Sequence, residues 1–189
     1  MMMEQEINKA VEVLRKGGII VYPTDTIWGI GCDATNEKAV KKVYAIKKRL
    51  EKKTMIVLLC KKDGLDNFVH ELPHIAYDLI DSWEKPLTIV YEGAKNLAKN
   101  LIRSDKTVAI RVSKDEFSRR VIEKLGKPLV STSANASGDT TPLFFKDISN
   151  DIIEGVDYVV DLYHNSMNEL KASTVIRLHK DGNFDVLRP

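Results

Sequence analysis

Residues 115–138 read DEFSRRVIEKLGKPLVSTSANASG, and the fold class turns on this stretch. The segment DEFSRRVIEKL has the apolar spacing of an amphipathic helix, Gly126 and Pro128 end it, and the apolar pair Leu129-Val130 opens a strand. A helix handing over so directly to a strand is the signature of helices packed on a sheet. The strand then runs into Ser131, Thr132, Ser133 and Asn135. Each buried hydroxyl or amide needs a hydrogen-bond partner, so this cluster reads as a site for something polar. If the strand continues, Ser131, Ser133 and Asn135 share one face, and Gly138 lets the backbone beyond them approach a ligand. A Ser/Asn-rich capping turn is the competing reading.

The same alternation extends in both directions. Upstream, Ile7, Ala10, Val11 and Leu14 recur at helical spacing until Gly17-Gly18, followed by the strand GIIVYP. Asn36 can cap a second helix, EKAVKKVYAIKKR, with the stripe Ala39, Val43, Ile46 and Leu50. Strands follow at 55–60, 86–93 and 107–112, with a helical stretch at 74–83. Downstream, DYVVDL, STVIRL and FDVLRP are strand-like. The pattern implies one α/β (α+β) domain over residues 1–189, a mixed sheet with packed helices.

Composition limits the ligand. The chain is 43% apolar and 30% charged, with a net charge of +2, which disfavours long-lived nucleic-acid binding and leaves room for a brief RNA contact. Cys32 and Cys60 lack metal or disulfide spacing and fit buried or half-buried thiols in a reducing compartment. No apolar run approaches a membrane span and the start lacks the apolar region of a signal peptide, so a cytoplasmic location is expected.

Two further clusters carry chemistry. In VYPTDTIWGIG (21–31) the first strand ends at Pro23, Thr24 and Thr26 flank Asp25, and Gly29 and Gly31 remove bulk, as at a strand end that receives a polar ligand. A hairpin-like turn whose hydroxyls bond their own backbone is the alternative. At the end of the second helix, KKRLEKK (47–53) places Lys47 and Arg49 on opposite borders of the apolar stripe, while Lys48 points away. Border cations can reach over the rim of the core toward phosphate or carboxylate oxygens, or simply favour the helix end. Because neither lies at the stripe's centre, Lys47→Ala and Arg49→Ala are expected to lower turnover and spare the fold. The stretch HELPH (70–74) mimics a zinc-peptidase motif, but Pro73 interrupts the helix that would bring the two histidines together, so no zinc site is expected.

In this order, YPTDTIWGIG, YAIKKR with Lys53, PLTIVY, VAIRV, STSANASG, STVIRL and the terminal VLRP resemble the successive blocks of the YrdC-type threonylcarbamoyl-AMP synthases, from about residue 17 to 189. The resemblance implies a twisted mixed sheet enclosing a concave basic site, in the short form without an additional C-terminal domain. It implies an enzyme that joins L-threonine, bicarbonate or CO2 and ATP into threonylcarbamoyl-AMP and pyrophosphate. The product passes to a downstream threonylcarbamoyl transferase complex that modifies tRNA. Carried over by position, Thr26, Arg111, Ser133 and Ser173 bind threonine, and Arg49, Lys53, Thr107, Asn135 and Arg188 bind ATP. Lys47 and Arg49 are the catalytic pair. Mg2+ is expected with the ATP, and no protein metal ligand or protein nucleophile is needed. Trp28, Leu50, Thr54 and Leu58 depart from the family's usual residues, as does Glu84-Lys85. A non-catalytic RNA-binding module of the same fold and a carbamoyltransferase-type relative are the rival readings.

Overall fold

Along β3 (Ile56–Leu59), Val57 and Leu59 join one hydrophobic cluster while Leu58 joins another, as the twofold alternation of a strand requires. The computed structural model describes residues 2–48, 55–164 and 172–189. Besides β3, the described strands are β1 (Ile20–Tyr22), β2 (Gly29–Gly31), β4 (Leu87–Tyr91), β5 (Val108–Val112), β6 (Leu129–Ser133), β7 (Tyr158–Val159), β8 (Thr174–Leu178) and β9 (Phe184–Arg188). They form one sheet in the order β7-β1-β2-β6-β3-β5-β4-β8-β9. Three parallel pairs (β1 with β7, β3 with β5, β4 with β8) stand among five antiparallel ones, so the sheet is mixed, as the sequence implies.

Five helices cover it unequally among the described residues. α2 (Glu37–Ile46), α3 (Ile75–Ser82) and α5 (Asn150–Gly155) pack on the face that carries Ile30, Val57, Ile89, Ile110, Val130 and Ile176. α1 (Met2–Arg15) and α4 (Glu116–Leu125) pack on the other face, against Ile20, Tyr22, Leu58 and Leu129. That second face is covered only in part, and what α1 and α4 leave open becomes the site described below.

Local chemistry sets the helix ends. Asn36 Oδ1 accepts from the Ala39 N–H at 3.1 Å, the cap expected for α2. Asp115 accepts from the N–H groups of Phe117 and Ser118 to start α4, and Gly126 ends it at φ +73°. Ala76 N–H bonds the Pro73 carbonyl just before α3, while His70 N–H bonds Gly93 O, so the two histidines of HELPH lie on differently structured segments. Cys32 is buried and Cys60 half-buried, both as free thiols. No described helix is long and apolar enough to cross a membrane.

β2 corrects the reading of the first glycine pair. Gly31 meets the neighbouring strand and not a ligand: a Cβ there would lie 2.0 Å from the Val130 carbonyl oxygen. Because the obstacle is backbone of a central strand, Gly31→Ala is expected to destabilise by at least about 3 kcal/mol, read as loss of soluble protein or a sharply lowered urea midpoint.

Glu6 on α1, only 3% exposed, ties the helix to the end of β7. Burial raises its pKa, but hydrogen bonds from Tyr158 Oη, from Asp161 N–H at 2.8 Å and from Lys9 Nζ at 2.9 Å more than offset this and hold it below its ordinary value of 4.5. A carboxylate with a depressed folded-state pKa stabilises fully above its unfolded value and loses that contribution as pH falls through the folded value. Glu6→Gln should therefore lower the Tm by about 5 °C at pH 7, with the deficit shrinking below about pH 4 in thermal melts.

Candidate functional site

The open part of the second sheet face is floored by alternate residues of adjacent strands. Strand register sets Gly29 beside Ser133, Ser131 beside Ile56, Ile56 beside Ala109, Ala109 beside Val90, and Thr88 beside Val175. All of these line one cavity of about 500 Å³, in the range of small-ligand sites. Arg111 lies two residues beyond Ala109, on the same face, and reaches the cavity where the α1/α4 cover ends. Period-two alternation therefore decides which half of each strand packs and which half meets solvent or ligand.

Five of the residues expected to bind substrate come together here. Thr26, Arg111, Ser133, Ser173 and Arg188 line the cavity from the β1–β2 loop, β5, β6, the residue before β8, and β9. Arg111 is 3% exposed; its Nη2 lies 3.2 Å from Asp25 Oδ1 and its Nη1 3.5 Å from Thr26 Oγ1. Ser173 Oγ is 2.8 Å from Thr88 Oγ1. Arg188 donates to the Ser173 carbonyl from Nε at 3.0 Å and from Nη2 at 2.8 Å, fixing β9 across the start of β8. Partial burial, and secondly the charge of Arg111, lower the pKa of Arg188, so two cations share one hollow. Arg103 adds a third guanidinium to the wall.

Other expected residues sit elsewhere. Lys47, expected to meet the nucleotide from the edge of α2, is 1% exposed and does not line the cavity. Its ammonium donates to the carbonyls of Ser133 and of Asn135, the latter at 2.6 Å. It thus holds the polar end of β6 from behind, and the expectation that its loss would spare the fold is corrected. Asn135 leaves the shared face because β6 stops at Ser133: Asn135 N–H bonds the Ser133 carbonyl, and its Nδ2 donates to Asp139 O at 2.7 Å. Thr107 is buried at the foot of β5, its hydroxyl donating to Asp105 Oδ1 at 2.6 Å, away from the cavity wall. Gly138 meets nothing within 4 Å of a built Cβ, so its φ of +104° and not a close ligand approach accounts for glycine there. Arg49 and Lys53 lie outside the described residues.

The departures from the family pattern among the described residues fall away from the wall, while Leu50 and Thr54 lie outside those residues. Trp28 is fully buried against Phe145 and His164, with ring centroids at 5.1 and 5.5 Å. Leu58 packs in the α1/α4 cluster. Glu84 and Lys85 are exposed ahead of β4.

Sequence reasoning put Ser131 in the polar cluster without giving it a ligand, and missed Arg103 and Thr88 as wall residues. Thr88 carried a signal as the polar residue between Leu87 and Ile89 of β4; Arg103 sits in a loop, where no periodicity exists to place it.

Set beside known proteins, the chain matches the Sua5/YciO/YrdC family, described as telomere recombination, over residues 12–189. It is similar to the threonylcarbamoyl-AMP synthase of Pseudoalteromonas translucida, 35% identical over 161 residues, or 84% of this chain and 86% of that one. P. abyssi Sua5 complexed with L-threonine matches it with a TM-score of 0.87 at 27% identity, over 98% of this chain and 54% of that one. The chain thus spans about half the length of that Sua5. E. coli YciO matches with a TM-score of 0.84 at 27% identity, over 98% of this chain and 89% of that one.

Proposed function

Because the chain belongs to the Sua5/YciO/YrdC family, we propose that it is an L-threonylcarbamoyladenylate synthase, converting L-threonine, bicarbonate or CO2 and ATP into threonylcarbamoyl-AMP and pyrophosphate. The observation that carries this reading is the hydroxyl-rich, cationic cavity, whose wall draws Thr26, Arg111, Ser133, Ser173 and Arg188 from separate parts of the chain.

The chemistry asks for alignment more than for a reactive side chain. The amine of threonine adds to CO2 and loses a proton, giving a carbamate. A carbamate oxygen then bonds the α-phosphorus as the bond to the bridging oxygen breaks and pyrophosphate leaves. Holding three reactants in line can supply about 7–11 kcal/mol. Arg111 receives the threonine carboxylate, with Thr26 and Ser173 beside it. Ser133, at the end of β6, stands at the junction of amino acid and nucleotide, and Arg188 lies on the nucleotide side. Arg49 and Lys53 meet the triphosphate.

Among the described residues no three His, Cys, Asp or Glu side chains come together, and the described wall carries hydroxyls and guanidinium groups without a carboxylate. The described residues therefore offer no carboxylate cage for Mg2+. The ion would enter on the triphosphate with its own waters and temper the charge on the phosphate oxygens. The product would go to a transferase complex acting on tRNA in the cytoplasm, with at most a transient RNA contact by this chain.

Incubation of the purified protein with ATP, labelled bicarbonate and either threonine or serine tests the reading. Pyrophosphate release that depends on threonine is expected. Tight RNA binding without turnover would instead establish a non-catalytic module.

A further inference from the structure

We propose that Asp25 is a positioning residue, which sets the orientation of Arg111 and through it the capture of the threonine carboxylate; this rests on the proposed function of the cavity.

Asp25 has no structural duty of the kind the other buried carboxylates perform. Asp33 accepts from Thr35 N–H, Asp115 caps α4, and Glu6 anchors Asp161 N–H. The turn around Asp25 is organised by its neighbour instead: Thr24 Oγ1 donates to the Ile27 carbonyl at 2.7 Å and accepts from Thr26 N–H at 3.1 Å and Ile27 N–H at 3.3 Å. Among the described residues neither carboxylate oxygen of Asp25 accepts a hydrogen bond, although both are buried. Its ion-pair partner among the described residues is Arg111, at 3.2 Å, with side-chain exposures of 12% and 3%.

A buried ion pair gains little over an apolar pair once desolvation is counted, so fold stability is a weak reason for placing one here. The geometry supplies another. Asp25 Oδ1 pairs with Nη2 of Arg111 by charge while Thr26 Oγ1 faces Nη1 at 3.5 Å, so consecutive residues of one loop meet both ends of the guanidinium fork and bias its plane. Arg111 Nε, also buried, has no acceptor among the described residues. A planar fork recognises a carboxylate only at a defined angle, and a preset plane removes the rotameric cost of finding it.

Asp25→Asn keeps the size and removes the charge. The KM for threonine is expected to rise about tenfold, with kcat changed less than about threefold and the KM for ATP unaltered. Combined with Arg111→Lys, which already lacks the fork, Asp25→Asn should add less than about twofold. Thermal melts accompany each variant. Asp25→Glu, which keeps the charge but displaces it by one methylene, carries the same threonine-selective expectation should the asparagine variant not fold. An unchanged threonine KM overturns the proposal. So does a rise in both KM values that tracks a loss of Tm, or an undiminished effect in the Arg111→Lys background. A wild-type protein without threonine-dependent pyrophosphate release overturns the reading of the cavity and the proposal with it, whereas an active wild type with an indifferent Asp25→Asn variant overturns the proposal alone.

Discussion

Arg111→Ala should reduce threonine-dependent pyrophosphate release about 1,000-fold in kcat/KM, a loss of about 4 kcal/mol in transition-state binding. The size follows from where the guanidinium sits. It is almost wholly buried at the junction between the α1/α4 core and the open cavity, so its contact with a carboxylate is little screened by water. Truncation also strands the Asp25 charge, which by itself costs about 3–5 kcal/mol of stability. The two effects separate in the double variant Asp25→Asn/Arg111→Ala, which should recover much of the Tm and none of the activity. Turnover in Arg111→Ala close to that of the wild type would mean that threonine is held elsewhere.

The second large effect is on the fold. Lys47→Met retains the length and apolar stem of the side chain but removes the ammonium that bonds the Ser133 and Asn135 carbonyls. Charge-assisted hydrogen bonds contribute about 1.5–3 kcal/mol each, and the carbonyls left behind must be desolvated without their donor. A loss of about 3 kcal/mol, or about 10 °C in Tm for a chain of this size, is expected in thermal melts. Activity should fall as well, because Ser133, one of the two residues whose carbonyls it holds, ends β6 at the cavity. A variant that is catalytically dead but melts with the wild type would restore Lys47 to direct contact with the nucleotide.

These two residues also show how far the sequence could be read. Strand alternation in STSAN was enough to put Ser131 and Ser133 on one face, because strand parity is a geometric rule that needs no tertiary information, whereas Arg111 of VAIRV was chosen through the family resemblance. Helical spacing likewise put Lys47 at the border of the α2 stripe. Spacing gives an angle about the helix axis, however, and not what lies at the end of a four-carbon stem; both a phosphate and a pair of main-chain carbonyls satisfy the same angle. Asn135 slipped off its expected face because the strand stops two residues earlier, and strand ends are set by which neighbour still offers hydrogen bonds. β2 escaped as a strand for a related reason. Two of its three residues are glycine, which has poor strand propensity, and it exists because β1 and β6 pair with it from either side. Arg103 was illegible because a loop has no period.

The half-covered sheet face has an evolutionary corollary. In β5, Ile110 serves the packed side and Arg111 the open side, so adjacent codons answer to unrelated demands. Tolerance to substitution along this strand would rise and fall like a sawtooth. Drift could then reshape what the hollow accepts one position at a time, while the opposite teeth keep the barrier to unfolding where it was.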